Sequence, residues 1–159
     1  MIDLDLAVEP ESWTALGDAE VLARRAVEAA LAVAGRSPQE ELSLSLLLAG
    51  DESVRALNRT FRAKDKPTNV LSFPAAPQPG VSGQRPLGDI ALAFETVARE
   101  AESEGKTLAD HAAHLIVHGT LHLLGYDHET EAEAETMEAL EVEALARLGI
   151  ADPYRELAA

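Results

Sequence analysis

Residues 113–128 have the sequence AHLIVHGTLHLLGYDH, which combines a helical pattern of apolar residues with four histidines, the last three of which have an informative spacing. His118 and His122 are four residues apart, a rise of about 6 Å, so a helix presents both rings on one face. Gly125 follows His122 by three residues and can adopt the positive φ that ends a helix. His128 comes three residues later, where a turn of the chain brings a third imidazole to the other two.

The H-x3-H-x2-G-x2-H spacing predicts a site for one zinc ion per chain, with His118, His122 and His128 as its ligands. Imidazoles in this arrangement reach one zinc ion at about 2.0–2.1 Å, and three protein ligands leave the fourth position to water. A site with an open position is catalytic, so the stretch predicts a zinc-dependent hydrolase. The chain has no cysteine, which excludes thiolate ligands and disulfides together.

Metzincin zinc proteases have the same histidine spacing, but in them a glutamate directly follows the first histidine and acts as general base. This chain has Gly119 at that position, which argues against a peptidase. Asp127 adjoins the third histidine and has two open interpretations, a carboxylate that orients the imidazole or a turn residue. His114, one turn before His118, is expected to be a partly buried helical histidine, with contact to substrate or support of the site as the alternative. His111 gives no signal.

Outside this stretch, apolar residues alternate or recur at helical spacing in segments that predict both strands and helices. Strands are expected at 2–6, 42–48, 70–73 and 89–94. Helices are expected from an Asp18 cap to Gly35, at 52–61 and 95–104, from a Thr107 cap to 124, and at 129–148. Residues 74–88 are rich in Pro, Gly and Ser and predict a loop. Because strands and helices do not alternate regularly, the predicted fold is α+β, a small mixed sheet packed with helices in a single domain over residues 1–159.

The first residues of the chain lack a basic patch followed by an apolar run, so they do not predict a secretory signal. The longest apolar run is far shorter than the ~20 residues that cross a bilayer. A cytoplasmic protein without a membrane partner is therefore expected. The absence of cysteine agrees with a reducing compartment.

Charge is distributed unevenly along the chain, which has 13 basic and 28 acidic residues and a net charge of −15. The total argues against binding a polyanion by bulk charge. Residues 129–148 contain seven glutamates and one arginine, and this run is expected to form a solvated helix face. Five of the basic residues nevertheless lie within twelve positions, and we refer to them as the basic patch: Arg55, Arg59, Arg62, Lys64 and Lys66.

Two blocks of this sequence resemble the YbeY family of bacterial endoribonucleases. One block is HGTLHLLGYDH at 118–128, and the other is FRAKDKPTNVLSFP at 61–74, followed by LGDIALA at 87–93. Their order and spacing, together with the acidic helix after the histidines, are similar to the family over nearly the whole chain.

The resemblance implies a zincin-like site with zinc on His118, His122 and His128, and an arginine important for activity at Arg62. It also implies single-strand-specific RNA cleavage, maturation of the 3′ end of 16S ribosomal RNA and ribosome quality control, with the small ribosomal subunit or assembly factors as partners. An arginine suits phosphodiester hydrolysis because its planar fork binds phosphate oxygens. Three further residues of the basic patch are candidates for contact with the RNA backbone: Arg59, Lys64 and Lys66.

Two other functions stay open on the sequence alone. One is a different zinc hydrolase, such as a peptidase or a small-molecule hydrolase, and Gly119 argues against the peptidase. The other is a non-catalytic ribosome-assembly factor with structural zinc, against which the open coordination position argues. Assays on RNA and on casein, with and without a chelator, distinguish these classes.

Overall fold

The computed structural model describes residues 2–37, 39–76 and 85–154, and these ranges form a four-stranded mixed sheet packed with helices. The sheet has the order β1-β2-β4-β3, in which β1, β2 and β4 are parallel and β3 is antiparallel to β4. The strands are β1 (Ile2–Val8), β2 (Leu42–Ala49), β3 (Val70–Pro74) and β4 (Arg85–Ala93). The α-helices are α1 (Ala19–Val33), α2 (Asp51–Arg62), α3 (Phe94–Glu104), α4 (Leu108–Leu123) and α5 (Glu131–Arg147).

The alternation of leucine with smaller residues along β2 gives the sheet one strongly apolar face. The leucines at even-numbered positions from Leu42 to Leu48 are buried, whereas the residues between them are half-buried. Helices α1 and α4 pack over this face and form the main core with it. On the opposite face, Val54 of α2 joins a smaller cluster with residues of β3 and β4. The predicted α+β class and mixed sheet are confirmed.

Helices α1 and α4 begin where the sequence places their caps. The side chain of Asp18 accepts a hydrogen bond from the backbone N–H of Val21, and the hydroxyl of Thr107 accepts one from that of Asp110, both at 3.1 Å. Each cap satisfies an N–H group that the first turn of a helix leaves unpaired. Within the described ranges, no helix has the length and apolar character needed to cross a bilayer.

The loop expected at 74–88 is shorter than predicted, because β4 begins four residues earlier than the sequence indicates. The backbone N–H of Arg85 donates to the carbonyl of Glu41 at 2.8 Å, which extends the pairing of β4 alongside β2. Pairing with a neighbouring strand therefore outweighs the Pro and Gly content of this segment. Residues 77–84 of the expected loop lie outside the described ranges.

A 3-10 helix, Glu11–Leu16, is an element that the sequence analysis missed. It buries Trp13, whose Nε1 donates to the carbonyl of Ala49 at 2.8 Å. The indole also meets the ring of Phe94 edge to face, with centroids 5.1 Å apart. A short helix held by one tertiary anchor has no periodic pattern, which is why the sequence does not reveal it.

Candidate active site

Helix α4 presents three of its four histidines along the side that is not covered by the core. Most of its residues are buried, and the helix packs against α1, β3 and β4. His114, His118 and His122 follow one another at intervals of four and are only half-buried. The structure thus places His118 and His122 on one face, as their spacing predicts.

The turn after α4 is a Schellman motif, and it brings His128 back toward the helix. The N–H of Gly125 donates to the carbonyl of His122 at 3.0 Å, and that of Tyr126 donates to the carbonyl of Leu121 at 3.1 Å. Gly125 has a φ of 103°, a conformation that residues with a side chain rarely adopt. The glycine therefore reverses the chain as the sequence predicts.

Hydrogen bonds at Nδ1 leave the Nε2 atoms of two histidines available to a metal. His118 Nδ1 lies 3.3 Å from Glu141 Oε2, and His122 Nδ1 lies 3.1 Å from the backbone oxygen of Tyr126. Because both oxygens are acceptors, a neutral imidazole here has its proton on Nδ1 and its lone pair on Nε2. Metal-binding histidines generally donate their second nitrogen in this way, so the donor set fits a zinc ion.

The three imidazoles are neighbours that do not yet converge on one point. The ring centroids of His118 and His128 are 5.9 Å apart, and those of His122 and His128 are 6.5 Å apart. Across residues 2–37, 39–76 and 85–154, no set of three or more His, Asp or Glu side chains already has the geometry to hold a metal ion. Rotation of the rings and movement of the exposed His128 are needed to bring three donor nitrogens together.

Gly119 faces the sheet and not the histidines. A Cβ added to it would meet three atoms of Ile90 on β4 at 3.0–3.3 Å. A glutamate at this position would therefore start against the core, which removes the basis for comparing it with the protease base. Asp127 accepts the backbone N–H of His128 at 2.8 Å, a contact typical of a turn residue.

Glu141 of α5 is a site residue that the sequence analysis placed wrongly, on a solvated face. It is 1% exposed and lies beside the rings of α4. Its Oε1 accepts hydrogen bonds from His114 Nε2 at 2.6 Å and from the Tyr154 hydroxyl at 2.7 Å, and its Oε2 faces His118. Burial by itself would raise the pKa of Glu141, but these three hydrogen bonds together outweigh it and hold the pKa at about 2.

A cleft of about 580 Å³ opens beside His118 between α3, α4 and β3. His111 also lines this cleft; it is 4% exposed, and its Nε2 lies 2.9 Å from Glu100 Oε1. The cleft provides room for a substrate next to His118. Its polar lining includes two carboxylates and comes from several elements: Asn69, Arg99, Glu100, Ser103, Glu104, His111, His114, His118 and Tyr154.

Arg62 is the last residue of α2, and its guanidinium lies on strand β3. Its Nη2 donates to the carbonyl of Ser72 at 2.7 Å, and its Cζ lies 5.2 Å from the centroid of the Phe73 ring. Strand β3 packs against α4, so Arg62 contacts the strand next to the histidine helix. One hydrogen bond occupies one of the five N–H groups of a guanidinium, which leaves most of the fork for an anion.

The rest of the basic patch is partly neutralised by one aspartate. Arg55 binds Asp65 through two hydrogen bonds of 2.8 and 3.2 Å, and Arg59 lies 3.9 Å from the same carboxylate. The hydrogen bond from Arg55 lowers the pKa of Asp65, which therefore stays charged. Lys64 and Lys66 are exposed, so they are accessible to a ligand in solution.

Comparison with known proteins identifies the family. A family model described as Endoribonuclease YbeY matches residues 10–149. The chain belongs to the YbeY endoribonuclease family. The endoribonuclease YbeY of Azorhizobium caulinodans is 54% identical over 153 residues and covers 96% of both chains. That of Ruegeria pomeroyi is 50% identical over 164 residues, which cover 95% of this chain and 97% of the relative.

The fold of this YbeY-family member is also found in a solved structure. The solution structure of the Thermotoga maritima protein TM1509 matches with a TM-score of 0.56 and 25% identity, over 98% of this chain and 100% of that one. Membership of the family makes the chain an endoribonuclease, an enzyme that hydrolyses RNA. The resemblance in the two sequence blocks is therefore confirmed.

Proposed function

We propose that this YbeY-family endoribonuclease depends on one zinc ion held by His118, His122 and His128. The observation that supports the proposal is the pair of Nδ1 hydrogen bonds, which leave two Nε2 atoms on the face of α4 that His128 approaches. A zinc ion bound there supplies a Lewis acid for the activation of water and for the charge of a phosphate. Because all three imidazole ligands are neutral, they leave the full positive charge of the ion available for this purpose.

The residues of the chain have separate tasks in this proposal. Arg62 binds a non-bridging phosphate oxygen with the part of its fork that Ser72 does not occupy. Arg59, Lys64 and Lys66 contact the RNA backbone. The chain has only six aromatic residues on which bases could stack, so we expect weak sequence preference and reliance on RNA structure or ribosomal context.

The biological role that we propose follows from the family. The enzyme acts in the cytoplasm on single-stranded ribosomal RNA, in the maturation of the 3′ end of 16S ribosomal RNA and in ribosome quality control. Its partners are the small ribosomal subunit or the factors that assemble it. The test is cleavage of immature small subunits with 3′-extended 16S RNA by the purified enzyme, compared with the naked RNA. Failure to cut the extension in either substrate contradicts this role.

The first prediction concerns metal content. Elemental analysis of the purified protein is expected to find one zinc per chain, and His118→Ala, His122→Ala and His128→Ala are each expected to lose it, because two imidazoles rarely retain zinc against water. His111→Gln is the matched control, since His111 lies in the cleft but outside the proposed ligand set. Full zinc occupancy in His128→Ala removes that residue from the site.

The same proteins distinguish the RNA assignment from peptide cleavage. The wild type is expected to cut single-stranded RNA, to stop when a chelator removes the metal, and to leave casein intact. The reason is that the chain belongs to an endoribonuclease family, and that neither the residue type nor the direction of position 119 provides the carboxylate base of the zinc proteases. Chelator-sensitive hydrolysis of casein without cleavage of RNA would overturn the proposal.

A further inference from the structure

Glu141 is a buried carboxylate with three hydrogen-bond donors around it. His114 Nε2 and the Tyr154 hydroxyl bind Oε1, and His118 Nδ1 faces Oε2. Burying an unpaired charge is strongly unfavourable, so a buried carboxylate is retained only where its partners satisfy it. Both oxygens of Glu141 are thus in contact with side chains of the candidate active site.

His118 and His122, the two proposed ligands on α4, are oriented by different groups. A backbone carbonyl, that of Tyr126, accepts from His122, and any sequence provides such a group. His118 instead depends on a side chain from another helix, and its tautomer is set by what that side chain accepts. A carboxylate accepts on both oxygens, whereas the amide of a glutamine accepts on one and donates on the other.

We propose that Glu141 is a positioning residue, which holds His118 with its proton on Nδ1 and its Nε2 lone pair toward the metal. His114 and Tyr154 act one step further away by holding Glu141 against α4. The proposal rests on the zinc site of the proposed function, because Nε2 of His118 has this task only if it binds the ion. The ring orientation itself is a property of the metal-free protein and can be measured separately.

The decisive variant is Glu141→Gln, which keeps the size of the side chain and removes its charge. Its single acceptor oxygen cannot serve three donors, so the amide nitrogen is left facing one of the histidines. We expect part of the His118 population to move its proton to Nε2 and accept from the amide at Nδ1. Glu135→Gln is the matched control, because Glu135 is on the same helix, is exposed and loses the same charge.

Two measurements test the proposal. Long-range ¹⁵N–¹H correlation spectra of the metal-free proteins report the tautomer of His118, which is expected to be Nδ1–H in the wild type and in Glu135→Gln and mixed in Glu141→Gln. Zinc affinity, measured by competition with a chromophoric chelator, is expected to fall about 10–100-fold in Glu141→Gln only. A residue that merely supports the fold would change thermal unfolding without changing the tautomer.

The outcomes separate the two proposals. An Nε2–H tautomer in the wild type overturns the positioning role, and this result needs no variant to fold. Equal zinc affinity and an unchanged tautomer in Glu141→Gln overturn it as well, while the zinc site stands. A wild type that has the Nδ1–H tautomer but binds no zinc supports the orientation by Glu141 and contradicts the metal site of the proposed function.

Discussion

The guanidinium of Arg62 is fixed along one edge and open along the other. The hydrogen bond to Ser72 sets its direction, and the ring of Phe73 supports its plane. A group already held in place loses little freedom when it binds an anion, which favours contacts that form in the transition state. This arrangement depends on the shape of arginine, and not only on its charge.

The prediction at this residue is that Arg62→Lys lowers kcat/KM on single-stranded RNA by about 5–150-fold. Lysine keeps the charge but loses the fork, a loss of about 1–3 kcal/mol for charge-assisted hydrogen bonds. Zinc content and thermal unfolding are expected to stay at wild-type values. Arg147→Lys is the control, because that side chain is 54% exposed and lies on α5, outside the basic patch. Turnover at the wild-type rate would show that the fork is not used.

The residues of the candidate site differ in how far the sequence reveals them. The proximity of the three histidines was predictable, because helical spacing and a glycine stop bring them to one side of α4, whereas their role as metal ligands stays a prediction. Glu141 was not, because it is one of seven glutamates in a run that looks uniformly solvated. Its position, four residues after the buried Met137 and three before the buried Ala144, is the signal that separates it from the others.

Helix α4 lies close to the sheet because Gly119 has no side chain. Its nearest neighbours across the interface are atoms of Ile90, which is 1% exposed and therefore has little room to move. The same close contact determines the distance between β4 and the histidines of α4. Gly119, which sets the packing of α4 on the sheet, is thus directly next to a proposed metal ligand, His118.

Gly119→Ala is expected to destabilise the protein by about 1 kcal/mol. The added methyl gains about 1 kcal/mol in helix propensity but overpacks the core, which costs about 1–3 kcal/mol. The contact with Ile90 Cδ1 is the shortest at 3.0 Å, and Ile90→Val removes that atom. In the Ile90→Val background the alanine is therefore expected to be neutral or stabilising.

Urea denaturation of the four proteins in this double-mutant cycle gives the coupling energy between the two positions. Equal changes on adding the alanine to the wild type and to Ile90→Val would contradict the packing argument. The cycle also explains why a glutamate at position 119 is a poor test of protease chemistry. Its effect would combine overpacking with a buried charge, whatever the reaction.

The pairing of the strands was less predictable than their existence. Alternation along β2 identifies a strand, but nothing in it states that β4 lies between β2 and β3. Ile90 shows the result, since it pairs with Leu46 on one side and with Ser72 on the other. Strand order depends on contacts between distant segments, so the sequence predicted a mixed sheet and not its order.

At the scale of the whole molecule, the enzyme is strongly acidic and yet binds an acidic polymer. A net charge of −15 repels RNA at long range, but salt screens charges over about 10 Å at 0.1 M. Contacts between the basic patch and RNA act at shorter distances and are therefore less affected by the net charge of the protein. Asp65 reduces the charge of that patch by pairing with Arg55 and Arg59.

The last prediction is that Asp65→Asn tightens binding of single-stranded RNA, because it releases two arginines from their carboxylate partner. We expect a gain of about 2–5-fold near 0.1 M salt, and a plot of log affinity against log salt that is steeper by about 0.7 for each additional phosphate contact. Binding is measured by fluorescence anisotropy with a chelator present, so that the RNA is not cut.

Glu28→Gln is the matched control, since it changes the net charge from −15 to −14 in the same way but lies on the exposed side of α1. If affinity followed the total charge, both variants would bind RNA equally well. If the basic patch contacts the RNA, only Asp65→Asn gains affinity and salt dependence, because a released arginine adds a phosphate contact that a distant charge cannot provide. An unchanged slope in Asp65→Asn would show that the RNA backbone lies elsewhere on the molecule.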